Sequence, residues 1–124
     1  METPRTALVA DDDDASRRVV TRALQDRGWT VLEASDGRAA MALVNTQKLD
    51  LAVLDWMMPY ADGLEVATYL REHQPGVPVL LLTSMDEDHD VANAYADGVD
   101  LHLGKPATPE TLTLFVDRLM ARKD

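Results

Sequence analysis

The chain has no cysteine, which excludes disulfides and thiolate metal sites and agrees with a reducing compartment. It is poor in positive charge, with 12 Lys and Arg against 22 Asp and Glu and a formal net charge of -10. Nucleic acid and anionic membrane surfaces are bound by clustered Lys and Arg, so direct nucleic-acid binding is not expected of these residues. No apolar run approaches the roughly 20 residues of a membrane helix, and residues 1–6 are too few and too polar for a secretion signal. There is no linker, low-complexity tract or short-period repeat. The expectation is a soluble, cytoplasmic protein.

What is present is enough for one core. The 124 residues are 46% hydrophobic, the size and composition of one compact domain over residues 1–124. Five short apolar runs begin near Ala7, Val31, Leu51, Val77 and Leu101, and they alternate with five longer segments of helical periodicity. Such alternation predicts strand-helix units and a parallel sheet. Residues 7–10, 51–54 and 79–82 are continuously apolar, as strands covered by helices on both faces must be. They are the predicted central strands. Val19, Val20, Ala23 and Leu24 mark an amphipathic stripe ending at Gly28, and Leu112, Phe115, Val116, Leu119 and Met120 mark another. The fold class is α/β, doubly wound.

In open parallel sheets ligands bind at the carboxyl ends of the strands. The residues after the apolar runs are polar: Asp11 and Asp12 after the first, Asp55 after the third, Thr83 and Ser84 after the fourth, and Lys105 after the fifth. Carboxylates gathered within a few Å repel one another unless a cation sits among them, and a hard oxygen donor set favours magnesium. Such a cation recruits phosphate oxygens, which leaves Asp55 as a nucleophile for phosphoryl transfer, with the Lys105 ammonium and Thr83 hydroxyl meeting charge on the transferred oxygens. The bland reading of residues 11–14 is a solvated turn with Asp14 as helix cap. His73 and His89 read as surface residues, and Trp56, Met57 and Met58 as loop packing.

Four pieces in this order carry a resemblance: Asp11-Asp12 after an apolar strand, residues 54–59 (LDWMMP) leading to Asp62-Gly63, Leu82-Thr83-Ser84, and Gly104-Lys105-Pro106. Over nearly its whole length the chain resembles the receiver domain of bacterial two-component response regulators. The resemblance implies a flavodoxin-like (βα)5 sandwich with strand order 2-1-3-4-5 and a phosphoacceptor at Asp55 served by a histidine kinase or phosphotransfer protein. It further implies magnesium held by Asp11 (largely through water), Asp12, Asp55 and the Met57 backbone carbonyl, with Thr83 and Lys105 reading the phosphoryl group. Such a domain is a switch that assists its own phosphorylation and dephosphorylation, not a conventional enzyme. A cis Lys105-Pro106 peptide is also implied, as is an output face on the fourth helix, fifth strand and last helix that engages a downstream target, a fused output domain or a second copy.

The chain departs from the family pattern at His102, where Tyr or Phe commonly follows the Thr83 shift, and at Ala107, where Phe is common. Met57 and Met85 stand two residues past Asp55 and Thr83, where polar residues often direct a water at the phosphoryl group, so a long-lived phosphoryl state is expected. Two other functions compete. A haloacid-dehalogenase-like phosphatase uses similar groups, but residues 11–15 (DDDDA) lack its Asp-x-Asp-x-Thr pattern. A receiver-shaped interaction module acting without phosphorylation is the third reading, motivated by His102 and Ala107.

Overall fold

The computed structural model describes residues 4–84 and 98–123. Strands β1 (Thr6–Ala10), β2 (Thr30–Ala34), β3 (Leu51–Asp55), β4 (Val79–Ser84) and β5 (Leu101–Lys105) form one parallel sheet in the order β2-β1-β3-β4-β5. Helices α1 (Asp14–Asp26), α2 (Gly37–Thr46), α3 (Gly63–His73) and α4 (Pro109–Lys123) cover it. The predicted fold class and strand order are those observed, and β1, β3 and β4 are the three inner strands. Sequence expectations for the fourth helical segment, Met85 and His89 fall outside the described residues.

The inner strands are apolar over residues 7–10, 51–54 and 79–82 because both faces are covered there, and their alternation divides the core in two. Leu8, Ala10, Ala52, Leu54, Val79 and Leu81 point to the side that also holds Ala40, Val44, Val66, Ala67 and Leu70 of α2 and α3. Ala7, Val9, Leu51, Val53, Leu80 and Leu82 point to the side of Val20, Ala23 and Leu24 of α1 and Leu112, Val116 and Leu119 of α4. Each fully buried Leu or Val contributes about 1.5–3 kcal/mol of transfer free energy. A one-residue slip of any inner strand would exchange the two layers, so packing on both faces pins the register that aligns the strand ends.

Local chemistry sets the helix starts. Asp13, not Asp14, caps α1: its carboxylate accepts from Ser16 N at 3.0 Å, and Asp11 Oδ1 accepts from Asp13 N at 2.9 Å, which holds Asp13 extended one residue before the expected cap. Asp36 accepts from Ala39 N at 2.7 Å, and Asp62 with Glu65 forms a reciprocal capping box on α3. Gly28, at φ +90°, ends the α1 turn where the sequence predicted a stop. The α1 stripe differs from expectation at one position. Val19 is exposed and Thr21 is buried in its place: the two flank Val20 at about 100° on either side, and the helix is turned so that the Thr21 side faces inward. Strand β4 begins at Val79, two residues after the start of its apolar run, since Pro78 has no N–H to give the ladder and serves through its carbonyl, which accepts from Ala52 N at 3.0 Å.

At the end of the sheet away from the strand carboxyl ends, Gln74 ties the end of α3 to the stretch that leads from α2 to β3. Its Oε1 accepts from Leu49 N at 3.0 Å, and its Nε2 donates to the carbonyls of Val44 at 2.9 Å and Gln47 at 2.7 Å. Replacing it by Ala leaves three backbone groups without these partners. Gln74→Ala is expected to lower the unfolding free energy by about 2 kcal/mol, read from the urea midpoint. An unchanged midpoint would show that water replaces all three bonds at no cost.

Candidate functional site

Because the strands are parallel and in register, the ends of β1, β3 and β5 deliver Asp11, Asp55 and Lys105 to one rim. Asp11, directly after β1, is fully buried, Asp55 is 7% exposed, and Asp12 is exposed. Lys105 Nζ lies 3.0 Å from Asp11 Oδ2 and 3.3 Å from Asp55 Oδ2, its side chain 21% exposed. Carboxylate oxygens of Asp11, Asp12 and Asp55 lie within 4.8 Å of one another. The structure therefore brings together four of the predicted residues.

The others are placed less directly. Thr83 is half-buried near the end of β4, where it pairs with Gly104, and its hydroxyl donates to the Ser84 carbonyl at 3.3 Å. The acids are not among its hydrogen-bond partners. His102 sits half-buried on β5, an edge strand, opposite Leu81. Met57 follows β3 with its side chain 50% exposed, so it does not pack the loop as expected; Trp56 does, at 5%, because Trp56 N bonds back to Leu82 O at 2.9 Å and turns the indole inward while the chain leaves the sheet. His73 is exposed, its ring stacked on Tyr69 at 3.9 Å. The Lys105-Pro106 peptide is cis, as the resemblance implied.

The rim is short of positive charge. Burial pushes the Asp55 carboxyl up, the neighbouring Asp11 charge pushes it further, and Lys105 only partly opposes them, so its pKa is raised to about 7. Burial alone pulls the Lys105 ammonium down, but Asp11 and Asp55 outweigh it and hold the pKa above the ordinary lysine value. Asp11 Oδ2 is at ion-pair distance from Lys105 yet makes no hydrogen bond of directional geometry. A buried carboxylate oxygen served only by Coulomb attraction, in a set of hard oxygen donors, is a fit for a small divalent cation. The residues present thus suit magnesium.

Among the described residues the site is a rim at the strand ends. A concavity of about 670 Å³ lies at the opposite end of the sheet around Leu49 and Gln74. Beside Lys105 lies a recess of about 220 Å³ lined by residues that include Val19, Leu82, Pro106 and Ala107. Position at the strand ends, not concavity, marks the chemistry here.

The raised Asp55 pKa has a consequence for stability. The protonated carboxyl favours the folded state, so this contribution is complete below the ordinary value of 3.8 and is lost as pH rises through about 7. Metal-free protein is expected to lose this contribution between about pH 4 and about pH 7. Asp55→Asn should flatten that loss and be more stable at pH 8 on the order of 2 kcal/mol. Urea unfolding across this range checks it, and equal slopes for the two proteins would count against the charge imbalance.

Comparison with known proteins agrees with this geometry. The family profile of the response regulator receiver domain matches residues 7–117. The chain is 39% identical over 119 residues to the probable transcriptional regulatory protein TcrX of Mycobacterium tuberculosis, covering 96% of this chain and 51% of TcrX. It is 35% identical over 117 residues to the alkaline phosphatase synthesis transcriptional regulatory protein PhoP of Bacillus subtilis, covering 94% and 49%. The chain spans about half the length of these curated relatives. Among solved structures, the receiver domain of Francisella response regulator 1452 superposes with a TM-score of 0.85 at 32% identity, covering 97% of this chain and 99% of that one. The chemotaxis protein CheY4 of Vibrio cholerae superposes with a TM-score of 0.85 at 30% identity, covering 94% and 99%. The chain belongs to the response regulator receiver domain family of two-component systems, signalling domains rather than classical enzymes.

Proposed function

We propose that residues 1–124 form a single receiver domain in which Asp55 accepts a phosphoryl group from the phosphohistidine of a histidine kinase or phosphotransfer protein. The observation that carries this reading is the Asp55 carboxylate, nearly enclosed at the end of β3, 3.3 Å from the Lys105 ammonium and within an acidic trio. Receiver domains generally use magnesium, and the Asp11, Asp12 and Asp55 group is able to hold a metal. In the proposed site Asp11, Asp12, Asp55 and the Met57 carbonyl hold magnesium, Asp11 largely through water. The ion supplies neutralisation of the carboxylates and polarisation of phosphoryl oxygens.

The chain's own residues do the rest. An Asp55 oxygen attacks phosphorus, the O–P bond of an acyl phosphate forms, and the N–P bond breaks with its electron pair going to the imidazole nitrogen. Lys105, already beside Asp55, takes up charge on the phosphoryl oxygens. Thr83 contributes once its hydroxyl turns from the Ser84 carbonyl to a phosphoryl oxygen, and His102, two strand positions before Gly104, follows that turn as the switch residue. In this sense the domain assists its own phosphorylation and dephosphorylation.

The output is carried by the face of β5 and α4 with the adjoining segment before β5, through a shift between two conformations of the domain. That face engages a downstream protein, a fused output domain or a second copy, and the setting is the cytoplasm. Since the chain spans half of relatives named as transcriptional regulatory proteins, an output domain is part of this proposal.

Incubation with acetyl phosphate and magnesium, followed by intact mass, is expected to add one phosphoryl group to the protein and none to Asp55→Asn or to metal-free samples. No gain under any condition would overturn the reading in favour of an interaction module acting without phosphorylation. The Met57 side chain, half exposed two residues past Asp55, cannot orient a water. Met57→Glu is therefore expected to shorten the phosphoryl lifetime at least roughly tenfold, a fraction of what a positioned general base contributes. Equal decay by mass spectrometry would remove Met57 from the account.

A further inference from the structure

Arg17 bonds through its guanidinium to the backbone of the acidic trio. It lies in the first turn of α1 with its side chain only 16% exposed. Its Nη1 donates to the Asp11 carbonyl at 2.8 Å, its Nε to Glu33 Oε1 at 3.0 Å and its Nη2 to Asp14 Oδ1 at 2.7 Å. One planar group thus ties the turn after β1 to α1 and to the edge strand β2.

The effect on Asp11 follows by taking its polar atoms in turn. The amide donates to Ala34 O at 3.0 Å, the carbonyl accepts from Arg17, and Oδ1 accepts from Asp13 N at 2.9 Å. Only Oδ2 is left to face Lys105 and Asp55. The Asp11 carbonyl belongs to the peptide plane that joins Asp11 to Asp12, so the Arg17 bond also fixes the direction from which Asp12 leaves. Asp14 and Glu33 are too exposed, at 74% and 43%, for their ion pairs with Arg17 to stabilise the fold appreciably. Their role is to aim the guanidinium, whose fixed fork can serve three acceptors in one plane where a lysine ammonium on a flexible stem cannot.

The geometry points to Arg17 as a positioning residue of the cation site, holding Asp11 and Asp12 in the arrangement that binds magnesium. This rests on the proposed cation site and extends it to a residue that touches neither metal nor phosphoryl group. Two physical effects give opposite signs and so separate the roles. If Arg17 acted only through its charge, removing it would leave the acids less balanced and magnesium would bind more tightly. If it positions the turn, removing it weakens magnesium binding, as loss of an outer partner of metal ligands does.

The test is the rise in unfolding free energy on adding magnesium, which yields the dissociation constant separately from the metal-free stability. Arg17→Met keeps the stem and removes the donors, and its dissociation constant for magnesium is expected to rise about 10-fold, with Arg17→Lys recovering little of it. An unchanged or lower constant in Arg17→Met overturns the proposal. Should that variant not fold, Arg17→Lys, which keeps the charge but not the fork, is measured in its place; a weaker magnesium response supports the proposal and an equal one overturns it. Absence of any magnesium response in the unsubstituted protein would overturn the cation site itself and this inference with it. A normal response there with no change in the variants overturns this inference alone.

Discussion

Two enclosed carboxylates share one lysine, and the rest of the structure is arranged around that imbalance. Asp11 and Asp55 are buried at the ends of neighbouring strands, and Lys105 has to serve both across β4. Buried charges are tolerable when paired and hydrogen-bonded, and costly otherwise. Here pairing is incomplete, and the cost appears as a carboxyl at Asp55 that holds its proton to about pH 7. A protein selected only for stability would fill these positions with apolar side chains. Retaining them gives a site whose most favourable partner is a divalent cation or a ligand bringing one.

The backbone around Asp55 is held to match. Gly63 opens α3 so close to β3 that a Cβ there would stand 2.5 Å from the Asp55 carbonyl oxygen and 2.8 Å from Leu81 Cδ1. Between them the chain makes a tight turn: Ala61 N donates to Pro59 O at 2.9 Å across Tyr60, whose φ is +73°. Such a turn is uncommon for a residue with a side chain and costs on the order of 1–3 kcal/mol. The start of α2 opposes that cost. Gly37 N donates to the same Pro59 carbonyl at 3.1 Å, and the Arg38 guanidinium lies over the Tyr60 ring at 4.1 Å. The loop carrying Met57 is thereby tied to a second helix, as the turn carrying Asp12 is tied through Arg17 to α1 and β2.

These ties also mark where the sequence stopped being readable. The inner strands declared themselves because burial on both faces leaves no polar position, and once a parallel sheet follows, its carboxyl ends are the place to look for chemistry. Asp11, Asp12, Asp55 and Lys105 needed no more than that. Arg17 was not legible, since its partners are a carbonyl six positions back and a side chain sixteen positions on, and nothing local distinguishes it from Arg18. Gln74 was missed for the same reason, its three bonds reaching a stretch 25 to 30 positions back. The errors at Val19, Asp14 and Met57 were one-residue errors of direction. Helical phase, an extended residue held by a neighbouring carboxylate, and the path of a loop leaving a sheet decide those, and none is set by composition.

The charge around the site bears on what can reach it. A chain with a formal charge of -10 repels anions over most of its surface. The Asp55 rim is acidic too, with one lysine, so a phosphoryl donor approaching the metal-free protein meets like charge at the place it must react. In the proposed switch the binding energy comes from a cation among the carboxylates and from contact with a larger donor surface. A protein carrying a phosphohistidine supplies the second. In the proposed switch, therefore, the acids do two jobs by one property, drawing in the cation and, until it arrives, keeping phosphorylation by stray anionic donors slow.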